Sequence, residues 1–297
     1  MCNNTTACFD YSNKSNDHSL SSYIVITWSA SIAVAVLSPI AVVGNALVLA
    51  AIWRNASLRT PSYLLLAGLA FTDLNTGLIS QPFYAAMEII RLSGLRNNRT
   101  VVAIAIGSAM YFIPITTSII SLMSIERWFH MTRRSLLTVR RVYSILTILY
   151  LIMLPFPICR ERLQIAIMSY ILACLIVTST AYVKVFRIIR SHQQQIQSNY
   201  LSRPSAQPAI NIAKYKKSVY TVLYILAIFY VSYTPVVIPI GLSMTIDDSN
   251  LTNLLSDLAL MFMFLSSSLN PFLYLWRMND IRNEVRTLVK IIFRKDN

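Results

Sequence analysis

The stretch Leu64-Leu65-Leu66-Ala67-Gly68-Leu69-Ala70-Phe71-Thr72-Asp73 is an apolar run that meets a carboxylate well inside a longer apolar segment, 61–90. An ionised side chain in hydrocarbon is costly and almost always faces protein or water instead of lipid. Such a segment therefore does not stand alone as an anchor. It belongs to a bundle whose centre is polar.

The rest of the chain agrees. Of its 297 residues, 55% are hydrophobic and only 13% charged, about half the charge of an ordinary soluble domain. A spanning helix needs roughly 20 apolar residues to cross about 30 Å of hydrocarbon. Segments near that length lie at 23–53, 61–90, 101–125, 142–158, 163–186, 218–243 and 254–276. The fourth is the shortest, and Cys159-Arg160-Glu161-Arg162 is a tight break before the fifth. The fold class expected is an all-α membrane protein, a seven-transmembrane helix bundle with a short amphipathic C-terminal helix. Its parts are a glycosylated extracellular N-terminus (1–22), the bundle (23–276), a third intracellular loop (187–217) and a cytoplasmic tail (277–297).

Charge sets the orientation. With the N-terminus outside, the inner segments hold 20 of the 26 Lys and Arg residues; Lys14, Arg91, Arg96, Arg99, Arg160 and Arg162 fall outside. Positive residues favour the cytosolic side, so the net charge of +14 reads as topology and not as a nucleic-acid surface. The glycosylation triplets at Asn3, Asn4, Asn13, Asn98 and Asn250 all fall outside, and only the one at Asn55 falls inside. No apolar run precedes Tyr23, so the first span acts as its own membrane signal. The expected location is the plasma membrane, multi-pass, N-terminus outside and C-terminus in the cytosol. From Asn279 to Phe293, Ile281, Val285, Leu288 and Ile292 recur three or four apart with Arg282, Arg286 and Lys290 off the stripe. That is a helix lying on the inner membrane surface.

Polar residues recur where lipid would be. Asp73 in the second span, Asn45 in the first and Asn270 in the seventh, with Thr116, Ser266 and Ser267, suggest one hydrated cluster inside the bundle; interhelical hydrogen bonding is the plainer role for the two asparagines. Glu126-Arg127 at the inner end of the third span allows charge pairing in one state and exposure of the arginine in another. Pro39, Pro82, Pro114, Pro155, Pro235 and Pro271 lie in or near spans, and each removes a backbone hydrogen bond and can kink a helix. Pro235 follows the aromatic ladder Phe229, Tyr230, Tyr233, which marks a hinge. The outer cavity is expected to be lined by Phe83, Tyr84, Ala109, Ile113, Tyr233 and Leu260, with Glu88 and Asp257 near its mouth beside Arg160 and Arg162. Such a site suits a lipid, a small amphipathic ligand or a short peptide.

These residues also carry a resemblance. Gly44-Asn45, Leu69-Ala70-Phe71-Thr72-Asp73, Glu126-Arg127-Trp128, Tyr182, Phe229 with Tyr233-Thr234-Pro235, and Asn270-Pro271-Phe272-Leu273-Tyr274 stand in order and in register with the spans. The chain resembles the rhodopsin-like (class A) G protein-coupled receptors from about Tyr23 to Phe293. The resemblance implies a G-protein switch at Glu126, Arg127, Tyr182 and Tyr274. It implies a sodium and water network at Asn45, Asp73, Thr116, Ser267 and Asn270, with no cofactor or metal beyond sodium at Asp73. It implies hinges at Phe229, Tyr233, Pro235 and Pro271, a tail that is the family's eighth helix, and a heterotrimeric G protein and arrestin as partners alongside membrane lipids.

The departures are specific. Val102 stands where the family's third-span cysteine forms a disulfide, leaving Cys2 with Cys8, or either with Cys159, as substitutes. Tyr150 replaces a tryptophan and Cys174 a proline. Tyr215 replaces the acid that locks Arg127, which implies raised basal activity. The short second outer loop and the fifth-span pattern resemble the melanocortin, cannabinoid and adenosine group. Ala109 and Phe264 stand at the amine-binding aspartate and retinal-lysine positions, against amine-receptor and opsin identities. The function expected is a ligand-driven receptor for a G protein. The alternatives are a transporter or channel, which would show flux and repeat symmetry, and a divergent receptor that does not signal. No enzyme is expected: neither His-Glu-x-x-His nor Gly-x-Ser-x-Gly occurs.

Overall fold

The structure is a computed structural model that describes residues 5–95, 98–132, 137–158, 160–202, 224, 227–236, 238–239 and 249–294. Among these residues it is all-helical: α1 Thr5–Arg54, α2 Pro61–Asn75, α3 Gln81–Leu92, α4 Arg99–Thr132, α5 Val139–Ile152, α6 Arg160–Ser202, α7 Ser249–Arg277 and α8 Asn279–Arg294. A helical stretch at 227–233 passes into a 3₁₀ turn, Thr234–Val236, in the sixth span. Among the described residues, five helical runs are long and apolar enough to cross a bilayer.

Several limits differ from the sequence reading. The polar N-terminal segment is not separate from the first span, because α1 is continuous from Thr5; neither Gly nor Pro occurs before Pro39 to stop it. The fourth span ends earlier than 158. Helix α5 has 14 residues and gives way to turns over 153–158, where Pro155 and Pro157 prevent its continuation. Within the expected third loop (187–217), α6 is helical to Ser202, and 203–223, with Tyr215, lies outside the described residues. So do Cys2, Cys159, Asn3, Asn4 and the side chain of Cys8; Cys174 is a free buried thiol.

Span two is two helices joined by a π turn, Thr76–Ser80, with Pro82 in the first turn of α3. Proline cannot donate back to the preceding turn and its ring crowds that turn, and a widened turn relieves both problems. Ser38 of α1 donates to the Gly77 carbonyl at 2.8 Å. A Cβ on Gly77 would sit 2.9 Å from Ala41 Cβ, so α1 and the π turn are in near-backbone contact.

The helices pack so that α1 touches α2, α3, α7 and α8, while α4 lies against α2, α3 and α6. Ile115, Ile119, Phe229, Tyr233, Met263 and Leu273 form the middle of the core. Val25, Ile32, Val36 and Val43 on α1, and Leu172, Ile176 and Val183 on α6, point outward. An exposed apolar stripe on a rod whose backbone bonds are internal suits contact with lipid.

The predicted amphipathic tail is α8. Ile281 and Val285 are buried, Leu288 and Val289 pack on the core, and Ile292 is exposed at the far end of the stripe. Its acids hold it down. Asp280 accepts from the Tyr63 hydroxyl at 2.8 Å, and Glu284 pairs with Arg54 at 3.5 Å and accepts from Asn55 at 3.4 Å. Asn55 also caps the 3₁₀ turn Ala56–Leu58, accepting from the Ser57 amide at 3.0 Å. The triplet at Asn55 is thus a structural cap. The contact of α8 with the last turn of α1 puts the tail at the opposite end of the bundle from the start of the first span.

Gly44 is where α1 meets α7, and a Cβ there would lie 2.8 Å from Pro271 Cβ and Cγ. A proline ring cannot rotate away, so Gly44→Ala is expected to lower stability by about 1–3 kcal/mol, read as a lower thermal midpoint of the purified protein. Gly107→Ala, whose Cβ would lie 3.6 Å from Pro157, is expected not to lower it.

Candidate functional site

The polar side chains inside the bundle fall on three levels, each drawn from different helices.

At the middle level, Asn45, Asp73, Thr116, Ser267 and Asn270 are all buried. Asn270 Nδ2 donates to Asp73 Oδ2 at 2.8 Å, joining the second span to the seventh. Asn45 Nδ2 donates to its own helix at Ala41 O (2.8 Å) and across to Ser267 O (3.1 Å). The Ser267 side chain also reaches Asp73. Thr116 is buried on α4 but makes no hydrogen bond to the other four residues. Asp73 Oδ1 and Asn45 Oδ1 are buried acceptors with no protein partner. Oxygen-only acceptors of this kind suit water or a hard cation.

At the inner level the two neighbouring charges have separate surroundings. Glu126 is buried and accepts from Ser62 Oγ at 2.8 Å. Among the described residues Glu126 and Arg127 form no ion pair. Ser62 lies in the first turn of α2 and supplies a neutral donor to the acid, so the half-buried Arg127 is not held by its neighbour. Tyr182 on α6 has Ser124 and Arg127 as electrostatic neighbours, and Tyr274 on α7 has Asp73 and Tyr182. A cavity of about 20 Å³ lies between them, with Leu69, Ile120, Tyr182, Phe229, Asn270 and Tyr274 in its wall. It is large enough for a water and connects the middle level to the inner one. Lys184 sits 3.9 Å over the Trp128 ring, so the residue after Arg127 also ties α4 to α6.

Of the hinge residues, Phe229 lies in the wall of this cavity. Phe229 and Tyr233 are buried and pack with ring centroids 4.8 Å apart. Pro235 lies in the 3₁₀ turn that follows, while Pro271 sits inside α7. Tyr230 and Ser179 share a hydrogen bond between the sixth span and α6. Two of the departures, Tyr150 and Cys174, are structurally absorbed. Tyr150 bonds Thr72 Oγ1 (2.6 Å) and Gly68 O (3.3 Å), and α4 is stitched to α6 around Cys174 by Ser118–Tyr170 (2.6 Å) and Ser121–Thr178 (2.9 Å).

At the outer level, Tyr84, Ala109, Ile113 and Leu260 gather with Val34 and Phe264. Tyr84 and Phe264 meet at 5.4 Å between ring centroids. Phe83 is not part of this cluster, and Tyr233 belongs to the larger core below it. The side chains of Arg160 and Arg162 lie outside the described ones. Glu88 and Asp257 are not open rim charges as expected: they are 1% and 7% exposed. One guanidinium holds both. Arg91 Nη2 is paired with Glu88, and with Asp257 Oδ2 at 2.7 Å, while the Tyr84 hydroxyl donates to Asp257 Oδ1 at 3.2 Å. Sequence reasoning placed Arg91 among the outer-loop charges, although Glu88 three residues earlier on the same helix face was a usable signal. Gln81 was also missed; it is fully buried and donates to Phe264 O at 3.0 Å. Of the residues that head the expected glycosylation triplets, Asn98 is exposed and caps α4 through the Thr100 amide at 2.9 Å, and Asn13 and Asn250 lie in helices.

Removing the Asn270 amide would leave buried Asp73 with one side-chain donor fewer, Ser267 remaining. Asn270→Ala is expected to cost about 1–3 kcal/mol. Asp73→Asn, which removes the charge that needs the donor, is expected to cost less. Thermal unfolding of the two purified variants gives the order.

The sequence pattern of the family described as "7 transmembrane receptor (rhodopsin family)" matches residues 44–160 and 159–274. Among solved structures the chain is similar to squid rhodopsin, with a TM-score of 0.73 and 15% identity over 91% of this chain and 87% of that one. That likeness is one of fold. Members of this family are receptors and not enzymes, and among the described residues no group of three or more His, Cys, Asp or Glu could hold a metal. The order of the matched segments, the multi-pass helical bundle and the Asn270–Asp73 join all lead to one assignment: this chain belongs to the rhodopsin-like (class A) family of seven-transmembrane receptors.

Proposed function

We propose that the chain is a plasma-membrane receptor that converts binding of an extracellular ligand into activation of a heterotrimeric G protein, with arrestin as a second cytosolic partner. The observation that carries this reading is the inner level. Arg127 stands beside an acid already engaged by Ser62, with Tyr182 close by and a water-sized cavity running from Tyr182 and Tyr274 to Asn270. A static ion pair would hold the arginine. This arrangement lets it change partners when the helices shift, which is the two-state behaviour a ligand can bias.

In this reading Phe229, Tyr233 and Pro235 form the hinge of the sixth span, with Pro271 as its counterpart in the seventh. Asn45, Asp73, Ser267 and Asn270 hold water, and a sodium ion fits the free oxygens of Asp73 and Asn45. Thr116 lines that level without bonding to it. The N-terminus is outside and carries glycans at Asn3, Asn4 and Asn13, with Asn98 and Asn250 on outer connections; α8 lies on the cytosolic face. The scaffold resembles the melanocortin, cannabinoid and adenosine group. Supporting this are the short turn between α5 and α6 and the unbroken α6 around Cys174. The ligand end is the cluster of Tyr84, Glu88, Ala109, Ile113, Asp257 and Leu260.

The test is a screen of G-protein activation in cells with confirmed surface expression. Wild-type receptor is expected to promote nucleotide exchange on at least one G protein, either basally or with an identified agonist. Arg127→Ala is expected to abolish that exchange at matched surface expression. An intact response in that variant removes Arg127 from the switch.

A further inference from the structure

We propose that Glu88, Asp257 and Arg91 form a cation-exchange site, in which the amine or guanidine of a small amphipathic ligand replaces the receptor's own Arg91 guanidinium. The proposal deepens the receptor reading above and relies on it only for which end of the bundle meets ligand.

The first argument is charge. Among the described residues, two carboxylates and one guanidinium meet here and leave a net negative charge in a place where Glu88 is 1% and Asp257 7% exposed. Buried charge is tolerated when it is paired and hydrogen-bonded. Here both acids meet the same nitrogen, Arg91 Nη2, and Asp257 takes additional help from the Tyr84 hydroxyl. The site therefore still favours positive charge with Arg91 in place.

The second argument is position. Arg91 lies in the last turn of α3, which ends at Leu92, and its side chain is 34% exposed. A guanidinium on a flexible stem at the solvent edge can swing outward, whereas the acids sit on the bodies of α3 and α7 and cannot. Arg91 thus acts as a tethered occupant that a free cation can displace.

The third argument is what lies alongside. The Tyr84–Phe264 aromatic pair, Ala109, Leu260 and Met261 form an apolar cluster around the Tyr84 that binds Asp257. This matches a basic head on an apolar or aromatic body. A divalent ion is a poorer match, because calcium takes six to eight oxygen ligands and the cluster offers two carboxylates and a phenol.

The exchange has a structural consequence. Arg91 ties the outer end of the second span to the seventh, and the Asn270–Asp73 bond ties the same two spans lower down. A ligand cation that takes the acids but is not attached to α3 would release the outer tie.

The test uses the full-length receptor in lipid nanodiscs, with thermal stabilisation by 2-phenylethylguanidinium as the readout and the uncharged 2-phenylethylurea as control. The guanidinium is expected to stabilise saturably and the urea not. Arg91→Ala is expected to raise the apparent affinity about tenfold, since the tethered competitor is gone. Adding Asp257→Asn to that variant is expected to abolish the response. Arg91→Gln, which keeps a hydrogen-bonding side chain without the charge, takes the place of Arg91→Ala if the latter does not unfold cooperatively. Equal responses to guanidinium and urea, no response in a folded Arg91 variant, or saturable stabilisation by calcium in place of the organic cation would each overturn the proposal. Loss of G-protein activation with cation binding intact would count against the receptor reading and leave this site standing.

Discussion

A carboxylate placed halfway through a lipid-wrapped bundle imposes order on everything around it. Asp73 cannot be left to hydrocarbon, and water reaches it only through protein. The structure meets that demand with Asn270, which brings the seventh span against the second, and with Ser267, whose carbonyl brings in Asn45 of the first. Three helices are thereby fixed in register by one charge. The tight approach of Gly44 to Pro271 then follows: α1 must come near enough to α7 for an asparagine side chain to cross between them, and a Cβ at Gly44 would prevent it.

The same logic governs span two. It carries Asp73 at the middle level and Glu88 at the outer one, and its π turn lies between them. A π turn adds a residue to the turn and rotates all that follows relative to all that precedes it. Both acids are fully buried and both have a partner on α7, directly for Asp73 and through Arg91 for Glu88. The Ser38–Gly77 bond and the contact of Gly77 with Ala41 fix that turn against α1, so α1 serves as the rigid wall on which span two is mounted.

Much of this was legible in the sequence because lipid leaves few choices. The bundle, the buried level at Asp73 and the amphipathic α8 all follow from hydropathy, since an isolated polar residue in a span has few places to go. Helix limits were less legible. Whether Thr5–Ser22 joins the first span, or Arg187–Ser202 prolongs the fifth, depends on backbone continuity in stretches that hydropathy does not mark. Partner choice was the least legible. Glu126 has an arginine beside it in sequence and instead bonds Ser62, because adjacent helix residues point about 100° apart and the neighbouring helix supplies a better-aimed donor. Thr116 has the right side chain at the right depth but faces no member of the network. Arg91 looked like a loop charge because the sequence does not show how far a helix extends past the apolar run.

The three polar levels differ in how strongly each is closed, and that difference gives the bundle a direction. The middle level joins its helices with short bonds among buried groups and keeps spare acceptors inside. The outer level is closed by one half-exposed arginine. At the inner level the Glu126 carboxylate is held by a hydroxyl, a weaker partner than a cation, and among the described residues Arg127 has no carboxylate partner. A bundle built this way is stiffest at its centre and most easily altered at its ends. Near the Asp73 level, Tyr274, Phe229 and Asn270 share the wall of one water-sized cavity, so α7 and the sixth span meet there around open space. We propose that shared wall as the route by which an exchange at Arg91 is felt at Arg127. It requires no part of the core to unpack, only that the cavity change shape.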